Sequence, residues 1–143
     1  MNRFVILKHD PGDQLLRTTR AHFDWMFEMD GVLRTFSTDP VHLKNLSGQC
    51  ETAATELAAH RIQYLEIRGD IGRGLGCVSE VASGSYQIEE NTSDLFAVEV
   101  TGFYGRSKFR ANCIFRRREQ KSGALGANTC WDLTIQTSSQ GTS

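Results

Sequence analysis

Charge of one sign is missing from this chain. Its 143 residues carry 16 Lys and Arg against 17 Asp and Glu, a formal net charge of −1. That balance argues against a histone-like or polybasic protein, although a local patch can hide inside a neutral sum. Long apolar runs are missing too. No segment approaches the roughly 18 apolar residues of a transmembrane helix. The run near the N-terminus, Phe4-Val5-Ile6-Leu7, is too short for the apolar core of a secretory signal. Cys50, Cys77, Cys113 and Cys130 are widely scattered, with no CxxC pair and no Cys/His knuckle. This argues against a zinc ribbon and points to reduced thiols in a cytoplasmic protein. The glycines of Gly69-Asp70-Ile71-Gly72-Arg73-Gly74-Leu75-Gly76 lack the Lys-Ser/Thr of a phosphate loop, so they read as turn geometry. No repeat of about 20–50 residues is visible, which disfavours a propeller or solenoid.

What is present is ordinary globular composition, 39% apolar and 23% charged, enough for one domain with its own core. The patterning assigns that domain to residues 1–136, with a flexible tail over 137–143. Phe4 to Lys8 reads as a strand, closed by the turn chemistry of Asp10-Pro11-Gly12-Asp13. Residues 13–21 have no clean period. In His22 to Met29, Phe23, Trp25, Phe27 and Met29 share one face at period two, and His22, Asp24, Met26 and Glu28 share the other. Asp30-Gly31 is the strongest two-residue hairpin signal, and Val32 to Phe36 returns as the partner strand. Residues 37–50 read as loop, Glu51 to Ala59 as a short helix rich in helix formers, and Arg61 to Ile67 as a strand. Further strands follow at Cys77–Ala82 and, separated from it by Gly84, Tyr86–Ile88, then at Leu95–Val100, Phe109–Phe115 and Trp131–Ile135, with 118–129 as an exposed loop. About eight short strands and one short helix predict a mainly β protein, a compact closed or nearly closed β-barrel.

Chemistry concentrates on few residues. His22 and Asp24 leave the same face of one strand, and an imidazole beside a carboxylate starts a divalent-metal site or an acid/base pair. The alternative is an ordinary solvated face of an amphipathic strand. His9 follows the first strand; if that strand lies beside 22–29, a His/His/Asp set suited to Mn, Zn or Fe(II) is assembled. His60 has Tyr64 four residues on and reads equally as a surface residue, and His42 shows no supporting pattern. Charge is uneven. Residues 1–90 hold nine basic and thirteen acidic residues, while 101–121 hold seven basic residues against Glu119 alone. Arg106, Lys108, Arg110 and Arg116 share strand parity beside Phe103 and Tyr104, a candidate phosphate-backbone surface.

Taken together, Arg3-Phe4-Val5-Ile6-Leu7-Lys8-His9-Asp10, His22-Phe23-Asp24 and Glu28-Met29-Asp30-Gly31-Val32-Leu33-Arg34-Thr35-Phe36 resemble the 3′-phosphoesterase domain of bacterial DNA ligase D. In that family a strand ends in Lys-His, followed by His-Tyr-Asp-Phe-Arg-Leu-Glu and Asp-Gly-Val-Leu-Lys-Ser-Trp. His60-Arg61-Ile62-Gln63-Tyr64 resembles its His-Pro-Leu-x-Tyr, Gly84-Ser85-Tyr86 its Gly-x-Tyr, and Gly105 to Arg116 its Gly-x-x-x-Leu-x-Arg strand. The likeness runs in order over most of residues 3–135 and suits a short stand-alone relative. The resemblance implies a compact β-barrel that uses a divalent metal, typically manganese, to trim 3′ ends of DNA or RNA strands in DNA end repair. The implied partners are nucleic-acid 3′ ends and proteins of non-homologous end joining. By position it implies His9, His22 and Asp24 as metal ligands, His60 as a phosphate-contacting or transition-state-stabilising residue, and Tyr64 as its assistant. Departures stand beside the likeness. The family's Arg two residues after the aspartate is Met26, its Pro-Lys-Gly becomes Asp39-Pro40-Val41, and the gap from His9 to His22 is seven residues longer. Arg34, Arg61 or the 106–118 cluster are the candidate replacement cations. A catalytically silent metal- or nucleic-acid-binding barrel is the alternative reading.

Overall fold

Period-two patterning, interrupted by turns, dictates sheet in most of the described chain. The computed structural model describes residues 2–11, 21–43, 48–70, 76–119 and 129–137. It contains nine strands: β1 (Arg3–Asp10), β2 (His22–Met29), β3 (Val32–Thr38), β4 (Gln49–Arg61), β5 (Gly69–Asp70), β6 (Cys77–Asn91), β7 (Leu95–Tyr104), β8 (Ser107–Arg117) and β9 (Thr129–Thr137). A four-residue 3-10 turn, Ile62–Leu65, is the only helical element of any length among the described residues. The strands run in the order β1-β2-β3-β4-β9-β8-β7-β6, and β1 pairs with β6 to close an eight-stranded antiparallel barrel. β5 is appended to β6.

The expected β2–β3 hairpin forms with Met29 opposite Val32. Asp30 and Gly31 both hold positive φ, 53° and 80°, as a tight turn that follows the strand twist requires. Alternation then sorts the side chains. Phe4, Ile6, Phe23, Trp25, Phe27, Phe36, Phe96, Phe115 and Trp131 belong to the main core inside the barrel. Phe36 and Phe115 stack there with centroids 4.1 Å apart, and Trp25 Nε1 donates to Thr38 Oγ1 at 2.9 Å. Arg34 shares the inward parity of Phe36. It ion-pairs with Glu56 at 2.8 Å and lies 4.5 Å from the Phe96 ring centroid.

Four expectations need correction. Glu51 to Ala59 is not a helix but the middle of β4, paired on one side with β3 and on the other with β9. Helix propensity there amounts to tenths of a kcal/mol per residue, less than two ladders of backbone hydrogen bonds supply. The expected strand Arg61–Ile67 ends at Arg61 and continues as the 3-10 turn. Gly84 does not separate two strands, because β6 runs unbroken through it. There Gly84 faces Gly102 of β7, and a Cβ on either would collide with the opposing backbone. The loop expected over 37–50 is shorter, since β3 reaches Thr38 and β4 starts at Gln49. Most of the segments 13–21, 118–129 and the tail, together with part of the 69–76 turn, lie outside the described residues.

The chain from Ile62 to Asp70 crosses the outside of the barrel. Leu65 packs there with Val5, Leu7, Met26, Leu33 and Val78 in a second, outer cluster, with Ile62 and Tyr64 against it. Arg68 anchors the crossing through a 2.6 Å contact to Glu80. No helix among the described residues is long and apolar enough to cross a membrane.

Candidate metal centre

The β1–β2 register places His9 directly opposite His22, with Leu7 opposite Asp24. All three polar side chains share the outward parity of Val5, Leu7 and Met26. The imidazoles of His9 and His22 meet edge to face at 4.9 Å between centroids. His22 Nε2 lies 3.4 Å from Asp24 Oδ1. One ligand atom from each of the three residues can be chosen so that all lie within 4.8 Å of one another, close enough for small side-chain shifts to bring them onto a shared cation.

Burial separates this group from an ordinary solvated face. Asp24 is only 8% exposed, and its Oδ1 has no hydrogen-bond partner among the described residues. A buried carboxylate oxygen without a hydrogen bond is costly, and coordination to a cation is one way to satisfy it. Two borderline nitrogen donors and one hard oxygen donor fit Mn, Zn or Fe(II) and leave positions for water or substrate. The alternation that suggested a solvated face misled because the 62–70 crossing covers the middle of that face.

The crossing also explains Met26. Its side chain is buried, 1% exposed, among Val5, Leu7, Leu33 and Leu65. At the position where the resembled family carries a cation, this chain therefore packs a thioether into an apolar cluster. Arg34 does not replace it, being committed to Glu56 and the core rings. Its parity with Phe36 was the available signal for that inward placement. Arg61 is exposed at the end of β4.

His60 and Tyr64 form a pair of their own, with ring centroids 5.3 Å apart and His60 Nδ1 3.0 Å from the Ala58 carbonyl oxygen. His60 stands opposite Leu33, which stands opposite Glu28. Glu28 is four residues beyond Asp24 on β2. His60 is thus two strands over and on the order of 13 Å of strand length along from Asp24. The fold brings His9, His22 and Asp24 together, and His60 with Tyr64, as two separate groups.

The basic strand parity holds for three of the four expected residues, while Arg106 lies in the turn before β8. Ala111, Cys113 and Phe115 of β8 face the core, so Lys108, Arg110 and Arg116 face outward. Arg118 is held by Asp132 at 2.7 Å. The chain matches no family model and no curated protein sequence.

Proposed function

We propose that this protein is a divalent-metal phosphoesterase acting on the 3′ ends of DNA or RNA strands, with manganese as the metal. The observation that carries the proposal is the convergence of His9, His22 and the buried Asp24 carboxylate on one point of the barrel wall. They are the three residues that the sequence resemblance implies as ligands. A cation bound there would polarise a phosphoryl oxygen and lower the pKa of coordinated water. The chain's own part is to hold two neutral imidazoles and a carboxylate in place. The β1–β2 ladder fixes their spacing before any ligand arrives, which reduces the reorganisation that binding requires. His60 and Tyr64, set apart from the trio, suit contact with the nucleic-acid strand beyond the reacting phosphate. Removal of a 3′-phosphate or a terminal ribonucleoside would place the protein in DNA end repair, among end-joining partners.

Burial of Met26 favours a second reading, a barrel that binds metal and nucleic acid without turnover. Two measurements decide between them. Purified protein with Mn²⁺ is assayed for phosphate release from a 3′-phosphorylated primer-template, and Mn²⁺ binding is followed by calorimetry. Turnover abolished by His22→Ala supports the first reading, and metal binding with no turnover supports the second. Absence of both overturns the metal centre itself.

A further inference from the structure

At the other end of β1 from His9, a second surface is built from different chemistry. Arg3 stands opposite Ser85 of β6, Ser85 opposite Thr101 of β7, and Phe103 opposite Lys108 of β8. Together they line a shallow groove of about 600 Å³, floored by Gly84 and Gly102. Phe103 is 50% exposed, the most exposed large apolar side chain among the described residues. Its outward parity is shared by Thr101 of β7 and by Lys108 and Arg110 of β8. The glycine floor follows from close strand approach, since neither Gly84 nor Gly102 has room for a Cβ. A flat side-chain-free floor beside an exposed ring admits a planar group.

The stretch of chain around that ring carries charge of one sign. Between residues 101 and 118 the sequence has six basic residues and no acidic one. The acids on the adjoining strands are Glu28, which pairs with Arg3, Glu80, which pairs with Arg68 and Ser83, and Glu99, two residues from Thr101 on the same face and opposite Asn112 and Gln87. Planar π-surface flanked by cations is the combination that stacks a base and holds its phosphates.

We propose that this groove is a binding surface for single-stranded nucleic acid, with one base stacked on Phe103 and the adjoining phosphate held by Lys108. A duplex keeps its base faces inside its own stack, so the unpaired strand is the form that fits. The surface is separate from the metal trio. Arg3 and His9 are six residues apart on one strand, about 20 Å. The inference therefore does not rest on the phosphoesterase reading.

The test uses fluorescence anisotropy with a labelled dT12 oligonucleotide and the full chain at low salt. Phe103→Ala is expected to weaken binding about fivefold or more, and Phe103→Trp to retain it. Lys108→Gln is expected to reduce the salt slope by about 0.7, the value for one lost single-strand phosphate contact. dT12 binding persists in chelator, and Phe103→Ala leaves Mn²⁺ binding unchanged, so the two sites fail separately. Phe103 is exposed, and an unchanged melting temperature confirms that its variants fold. The proposal is overturned if dT12 does not bind, if Phe103→Ala binds it as the parent does, or if an abasic strand, a blunt duplex or an acidic peptide of equal length binds equally well.

Discussion

Asp24 is where the residue-scale argument is sharpest. Its carboxylate is buried beside His22, whose Nε2 lies 3.4 Å from Oδ1 without making a hydrogen bond, so the cost of burying that oxygen is only partly offset. Asp24→Asn removes the charge while keeping the shape. The expected outcome is a split: Mn²⁺ affinity falls by about tenfold or more, while the metal-free melting temperature stays level or rises. Calorimetry and a thermal melt in chelator read the two halves. A fall in metal-free stability together with unaltered Mn²⁺ affinity would mean that Asp24 serves the fold and not a ligand. Met26 illustrates the limit at this scale. The sequence showed an uncharged residue where the resembled family has Arg, but only the 62–70 crossing shows that it fills an apolar cluster.

At the scale of elements, β4 is the instructive case. Ala53 is exposed on a strand that isolated propensity would make helical. Ala53→Val is expected to be neutral or to stabilise by up to about 1 kcal/mol, because a β-branched side chain suits a pleated surface. In a helix the same change would cost a few tenths of a kcal/mol or more. The urea midpoint distinguishes the two. The β2–β3 hairpin was legible because its turn and its alternation are local. The strand character of Glu51–Ala59 was not, because it is imposed by β3 and β9 from both sides. The same division holds for the candidate site. The shared face of His22 and Asp24 could be read from spacing two apart, whereas their junction with His9 needed the β1–β2 register. The separation of His60 needed the two ladders between it and β2. Gly84 misled for a related reason, since a glycine demanded by close strand approach looks like one demanded by a turn.

For the whole molecule, burial of weak acids ties the barrel to pH. Cys113, enclosed in the core, has its thiol pushed from 9.0 up to about 12 by burial. Tyr86, whose hydroxyl donates to the Glu28 carbonyl oxygen at 2.6 Å, is raised from 10.0 to about 12, first by burial and then by the Glu28 carboxylate. Both stay protonated in the folded barrel after the unfolded chain has begun to ionise. Their contribution is therefore complete below about pH 9 and is lost as pH rises toward about 12. The melting temperature should fall by several degrees between pH 9 and 11, and Cys113→Ala should flatten that fall. An equally steep fall in the variant would assign the loss elsewhere. The closing seam has a different consequence. β1 joins β6 through pairs from Asp10–Cys77 to Arg3–Ser85, 67 to 82 positions apart in the chain. Contacts that distant are slow to form, because loop-closure entropy opposes them first. Until they form, β1 and β6 each present an unpaired edge able to recruit a strand from another molecule. The first strand thus acts as the latch against aggregation during folding, and cleavage anywhere within it would reopen both edges at once.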